Sequence, residues 1–330
     1  MTHTIDEFPP SLVQHLAESL KQPGAPATLL PNVWLIKLDT RLKDGHLSQF
    51  FSYFLSSTLR EFYLNDSSHA GDGLIHHPLE SLTVLQPTLS TLTLRNPISM
   101  QIIEICLSLI GTSSRSLISV TVQHAPWSVI EVLGTLPHLQ YLDLGRCEGP
   151  LADVVLPSSW FLALRKIHAE KNLLLAILPT LAAKLFITEI SISNYDLPSR
   201  PQPDAFQHLI DMIGSSCPRL QTFSYRSSGE WNPYNHIHHS FAALKNCNEM
   251  RHFEITCSEV EVPPTDDEYV EFGQAWPELR TLSFGTPSNA RTTLETLKAL
   301  QMCCPYLVHV WIATDFGSEG CPSPGSTNSG

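Results

Sequence analysis

Cys217-Pro218-Arg219-Leu220-Gln221-Thr222-Phe223-Ser224-Tyr225 is the stretch on which the reading of the chain turns. Reduced to spacing, it is Cys-Pro-x-apolar-x-x-apolar-x-apolar. The phrase returns as Cys304-Pro305-Tyr306-Leu307-Val308-His309-Val310-Trp311-Ile312. With other first residues it returns as Trp276-Pro277-Glu278-Leu279-Arg280-Thr281-Leu282-Ser283-Phe284 and as Leu136-Pro137-His138-Leu139-Gln140-Tyr141-Leu142-Asp143-Leu144.

Working outward, eleven sets of three apolar anchors follow one another: Val33/Ile36/Leu38, Leu59/Phe62/Leu64, Leu89/Leu92/Leu94, Leu117/Val120/Val122, Leu139/Leu142/Leu144, Leu164/Ile167/Ala169, Ile187/Ile190/Ile192, Leu220/Phe223/Tyr225, Met250/Phe253/Ile255, Leu279/Leu282/Phe284 and Leu307/Val310/Ile312. First anchors recur at intervals from 22 residues (Leu117 to Leu139) to 33 (Ile187 to Leu220). In a chain that is 42% apolar, three fixed positions are all apolar in roughly one window in fourteen by chance, so one match carries nothing. Two further features carry the pattern. A proline stands two residues before the first anchor at Pro31, Pro87, Pro137, Pro218, Pro277 and Pro305, and helical spacing precedes many anchors, as in Ile98, Ile102, Ile105 and Leu109.

Strand, loop, helix and a helix-stopping proline at a period in the twenties define a solenoid. One short strand and one helix cannot bury their apolar faces alone; stacked neighbours join the anchors into a continuous core. The phrase Leu139-x-x-Leu142-x-Leu144 and its sisters resemble leucine-rich repeats, and the long irregular period with its Cys-Pro or Leu-Pro lead-in resembles the divergent repeats of fungal F-box/leucine-rich-repeat proteins. The resemblance covers about residues 10–316 and implies an α/β horseshoe of about eleven irregular repeats, with a concave parallel sheet and convex helices. The Asn that usually follows the third Leu of a standard repeat is missing from most units. By the same resemblance, the expected role is substrate recognition for a cullin-type ubiquitin ligase. Phe8-Pro9-Pro10-Ser11-Leu12-Val13 echoes the start of an F-box, but Pro23 breaks the helix and the first strand follows by Val33. An F-box has no room there, and adaptor binding is expected only if one lies upstream; the other reading is a truncated or degenerate repeat protein without a ligase role.

The expected organisation is therefore an N-terminal capping helix in residues 1–29, a repeat domain in 30–316 and a disordered Gly/Ser/Pro-rich tail in 317–330. With 16% charged residues and a net charge of −12, the chain lacks the basic surface that nucleic acids or anionic membranes require. The longest apolar run, Leu173 to Leu178, is too short to span a bilayer. Met1 to Phe8 has no hydrophobic run, and eight scattered cysteines fit a reducing compartment, so the expected location is cytoplasmic or nuclear.

No nucleotide loop, Gly-x-Ser-x-Gly or His-Glu-x-x-His occurs. No cofactor, metal or catalytic set is assigned, and the chain is read as a binding module rather than an enzyme. A hydrolase with an unrecognised site would need a Ser, Cys or His beside a base and an oxyanion donor. Cys217, Cys247 and Cys304 each precede a first anchor by three residues, which marks small packing residues rather than a redox set. His236, His238 and His239 offer too few convergent ligands for zinc. Asp266-Asp267-Glu268 reads as solvated charge in a Pro-rich loop.

Alternation along each strand places the residues between the anchors on the concave face. The expected protein-binding residues there are Tyr63, Arg95, Tyr141, His168, Arg226, His252 and Trp311. Long connections after the seventh, eighth and ninth phrases form a rim, where Trp231 and Tyr234 stand beside an acidic loop and complete the set.

Overall fold

A computed structural model describes residues 15, 18–19, 32–39, 55–65, 73–85, 88–95, 100–148, 156–181, 185–194, 203–227, 241–257, 264–284 and 292–312. The expected N-terminal cap (all but residues 15, 18 and 19) and the tail lie outside these residues. The chain divides into two compact units, Met1–Ala176 and Ile177–Gly330.

The first unit holds β1 (Leu35–Asp39), β2 (Glu61–Asn65), α1 (Gly73–Leu85), β3 (Thr91–Arg95), α2 (Met100–Thr112), β4 (Ser119–Pro126), α3 (Trp127–Gly134), β5 (Tyr141–Glu148) and β6 (Lys166–Glu170), with α4 (Lys171–Leu181) crossing its end. The second holds β7 (Glu189–Asn194), α5 (Pro203–Ser216), β8 (Thr222–Ser227), a 3-10 turn η1 (Ala242–Asn246), β9 (His252–Cys257), α6 (Asp266–Ala275), β10 (Thr281–Phe284), α7 (Leu294–Cys303) and β11 (His309–Trp311). Within each unit, strands stand in chain order and pair in parallel. The α/β class with a parallel sheet is as expected. No helix among the described residues is long and apolar enough to cross a membrane.

The register follows the phrase. Ile36, Phe62, Leu92, Val120, Leu142 and Ile167 are aligned partners across β1 to β6. Ile190, Phe223, Phe253, Leu282 and Val310 are aligned across β7 to β11. One main-chain contact fixes this. The carbonyl of the residue just before each strand accepts the N–H groups of two consecutive residues entering the next. Trp34 O accepts from Arg60 and Glu61 at 2.8 and 2.9 Å, and Gln221 O accepts from Arg251 and His252 at 2.8 and 2.9 Å. The same pair of bonds is made at Arg60, Ser90, Ile118 and Gln140, and at Thr188, Arg251 and Arg280.

The Cys-Pro lead-in has a local cause. The Cys217 N–H closes the last helical bond to Ile213 O at 2.9 Å, and the Cys217 carbonyl then accepts from Leu220 N at 3.0 Å. That is a four-residue turn with Pro218 in its second place, where a preset φ helps and no N–H is needed. Trp276-Pro277 and Cys304-Pro305 repeat both bonds. The proline thus shapes the turn that follows the helix, a narrower role than stopping it. The sixth phrase enters differently. Phe161 takes its place with φ 55, a left-handed conformation costing a non-glycine residue roughly 1–2 kcal/mol. Its N–H is held by Gly134 O at 2.8 Å.

The anchors of the second to tenth phrases are all buried, including Ala169, the weakest of them by composition. The first unit's core is chiefly aliphatic. The second is aromatic: Phe223 stacks on Phe253 at 5.6 Å, Phe253 lies 4.8 Å from Trp276, and Phe272 stacks on Trp276 at 4.9 Å. Each such pair adds about 0.5–1.5 kcal/mol beyond its buried area. Trp276 Nε1 donates to Leu244 O at 3.1 Å, so its polar edge is satisfied. Tyr269 is fully buried edge-on to Phe284, and its hydroxyl has no hydrogen-bond partner among the described residues.

Two substitutions probe this packing. At Gly214 in α5 a Cβ would stand 2.3 Å from the Ala243 carbonyl oxygen, so Gly214→Ala must separate α5 from η1 and is expected to cost about 1–3 kcal/mol in urea unfolding. Removing an unpartnered buried hydroxyl relieves its desolvation penalty. Tyr269→Phe is therefore expected to raise the unfolding free energy measured in urea by up to about 1 kcal/mol.

Candidate functional site

The sheet face opposite the anchors carries the seven expected site residues that lie on strands, Tyr63, Arg95, Tyr141, His168, Arg226, His252 and Trp311. In the first unit one rank runs Lys37, Tyr63, Thr93, Thr121, Asp143 and His168, aligned strand by strand. In the second unit the corresponding rank runs Ser191, Ser224, Glu254, Ser283 and Trp311.

Tyr141 and His168 are brought together at Asp143. The Tyr141 hydroxyl donates to Asp143 Oδ2 at 3.5 Å, and His168 Nδ1 lies 3.2 Å from Asp143 Oδ1. Burial pushes the Asp143 carboxyl above the usual aspartate range, while His168, Arg95 and the Tyr141 hydroxyl pull the other way and fall short. Arg95 thus acts on the same carboxylate from two strands away. The pair supplies a base with its orienting carboxylate, two members of a nucleophile–base–acid arrangement; Tyr141 bonds the carboxylate. Tyr63 stands apart from them. Lys37 Nζ lies 5.0 Å from its ring centroid, and its hydroxyl donates to Glu61 Oε2 at 3.4 Å.

In the second unit, Arg226 Nη2 lies 3.5 Å from Glu254 Oε1, which also accepts from Thr256 Oγ1 at 3.2 Å. Ser224 donates to Ser191 at 2.7 Å. His252 Nδ1 meets Thr281 Oγ1 at 3.1 Å. Burial lowers the His252 pKa, Arg280, Arg251 and His309 lower it further, and Glu189 opposes them. The net shift is downward and favours the neutral imidazole. Trp311 is exposed beside Ser283. Trp231 and Tyr234 lie outside the described residues, as do most of the three rim connections.

Alternation along the strands already places Asp143, Glu254, Glu61 and Lys37 on this face, but their pairing with the expected site residues is not read from the sequence. The signal existed in three of them, an acid two residues from a hydroxyl on one strand, in Tyr141-Leu142-Asp143, Glu61-Phe62-Tyr63 and Glu254-Ile255-Thr256. Residues two apart on a strand share a face.

The acidic run requires a correction. Asp266, Asp267 and Glu268 form the first turn of α6 rather than a solvated loop, because Thr265 and Glu268 close a reciprocal capping box. Asp266 reaches the next helix, accepting from Thr293 N at 3.1 Å, from Thr293 Oγ1 at 2.9 Å and from Thr296 Oγ1. Burial would raise its pKa, but these bonds outweigh it and hold the carboxyl below its ordinary value. One carboxylate thereby begins its own helix and caps its neighbour. Cys217, Cys247 and Cys304 are buried packing residues; burial pushes their thiols up to about 12, 12 and 11. Cys304 Sγ donates to Gly273 O at 3.4 Å.

No family model matches the sequence, and no curated protein matches it.

A carboxyl-carbon NMR titration is expected to place the Asp143 midpoint above the ordinary 3.8. His168→Ala removes a group that lowers it, so the midpoint moves further up. The sign for stability follows from linkage. Asp143's contribution is full below the unfolded aspartate value and is lost as pH rises through the higher folded one.

Proposed function

We propose that the chain is a leucine-rich-repeat solenoid that binds a protein on the exposed face of its parallel strands. Its reading as a fungal F-box/leucine-rich-repeat relative makes it a substrate-recognition component of a cullin-type ubiquitin ligase, working in the cytoplasm or nucleus. The observation that carries the binding role is the sheet face opposite the anchors in each unit, where aligned ranks place Tyr63 and His168 with Tyr141 on the adjoining rank in one unit, and Trp311 with Arg226 and His252 on adjoining ranks in the other. Backbone pairing holds them at fixed spacing, so little side-chain positioning is left to the moment of binding. Aromatic and arginine anchors in such a setting are the residues that dominate interfaces. The mixed charge of the ranks suits a polar partner surface with both signs, and the net −12 favours a basic one.

Two measurements test this. The complete gene product is expected to co-elute with the ligase adaptor in gel filtration; separate elution removes the ligase context and leaves the binding role. Substrates captured by that assembly are expected to lose about 1–3 kcal/mol of affinity on Tyr141→Ala or His168→Ala, measured by calorimetry. Unchanged affinity in both variants, and in Arg226→Ala and Trp311→Ala, removes the surface assignment.

A further inference from the structure

A side-chain contact that recurs from repeat to repeat is missing at Arg280. In three repeats the residue after the first anchor reaches the residue before the first anchor of the next. Arg60 Nη1 donates to Thr88 O at 3.1 Å, Gln221 Nε2 to Glu249 Oε2 at 3.1 Å, and Arg251 Nε and Nη2 to Glu278 Oε2 at 3.1 and 2.8 Å. Arg280 holds this place in the tenth phrase, and the residue before the next first anchor is Tyr306, which brings no carboxylate. Arg280 is exposed, and its guanidinium has no hydrogen bond or ion pair with another residue among those described. The break lies in the sequence, since Arg280 and Tyr306 both stand within the described repeats.

The Arg280 charge bears on the sheet face instead. Thr281, the next residue, is aligned with His252 on β9 and His309 on β11, and His252 Nδ1 lies 3.1 Å from its hydroxyl. Both imidazoles are exposed. After burial, Arg280 does most to lower the His252 pKa, ahead of Arg251 and His309; Glu189, two strands away on β7, opposes them. The Arg251 charge is met by Glu278, and Glu254 on β9 is taken up by Arg226 and Thr256. Arg280 is thus the arginine of this cluster without a counter-charge in contact among the described residues. We propose that Arg280, with His252, Thr281 and His309 around it, receives an acidic side chain of the partner protein. The carboxylate that Glu278 supplies to Arg251 from inside the chain is here supplied from outside. A guanidinium presents a fixed fork of donors that matches a carboxylate, and Arg251 shows that position making such a bond. The anion also offsets the positive field at His252, so its binding and the protonation of this imidazole favour each other. This contact presupposes the protein-binding reading and gives it the sign of one partner group.

The probe is capped triglutamate, with capped triglutamine as its control, titrated into the full chain at low salt and followed by NMR at the His252 and His309 rings. Triglutamate is expected to bind saturably with a dissociation constant near ~1 mM and to raise the His252 midpoint; triglutamine is expected to do neither. Two surface variants separate the site from general charge. Arg280→Gln installs the residue type of the eighth phrase, and Tyr306→Glu places the acid of the tenth phrase opposite Arg280. Each is expected to weaken triglutamate at least about tenfold. No saturation by ~10 mM, equal shifts with triglutamine, or equal binding by both variants means an adventitious ion only and overturns the proposal. Sulfate binding more tightly than triglutamate overturns the carboxylate assignment in favour of a phosphate-type group. No partner protein enters this titration, so its failure leaves the protein-binding reading standing, and that reading falls on the captured-substrate affinities alone.

Discussion

A single carbonyl oxygen accepting two N–H groups is the contact on which each unit rests. It sits one residue before the strand, so it fixes where the next strand begins to within one residue. Because side chains alternate along a strand, a slip by one position would turn every anchor outward. The repeated pair of bonds forbids that slip. The anchors then fall on one face and the ranks of Tyr63, Thr93, Asp143 and His168, or Ser191, Ser224 and Glu254, on the other. The proline two places before the first anchor serves the same end. It sets the turn that delivers the chain to the carbonyl at the right angle.

The anchors were legible because spacing within a phrase is local and repeats many times. Even Ala169 keeps its place, since β6 needs only a small apolar group where Leu144 lies opposite. What was not legible is what depends on neighbours a repeat away. Asp143 and His168 are 25 residues apart in sequence and meet only because their strands pair. Asp266 was misread for the same reason, since its partners Thr293 and Thr296 belong to the following helix. The proline's place in the turn needed the Cys217–Leu220 bond to be seen. The left-handed Phe161 had no signal at all, because a glycine or asparagine is what such a backbone ordinarily selects.

The two units fill the same frame with different material. The first stacks leucines and valines; the second stacks rings from Phe223 through Phe253 to Trp276 and Phe272. Rings fill more volume per position, and close approaches that require glycine occur in both units, at Gly134 and Gly145 in the first. Gly214 and Gly273 appear where an added Cβ would meet η1 or α7 at 2.3 and 3.1 Å. Close packing also accompanies the buried Tyr269 hydroxyl, which has no hydrogen-bond partner among the described residues. Its ring stands edge-on to Phe284, with the centroids 5.2 Å apart.

The thiols at the helix-to-turn joints give the molecule a set of internal clocks. Cys217, Cys247 and Cys304 stay protonated and enclosed while their own joint is closed, and only the thiolate reacts with an alkylating reagent. Each cysteine therefore records the opening of one particular repeat. Labelling followed residue by residue would show whether the second unit comes apart all at once or peels from one side, which is the question that distinguishes a repeat array from an ordinary globular core.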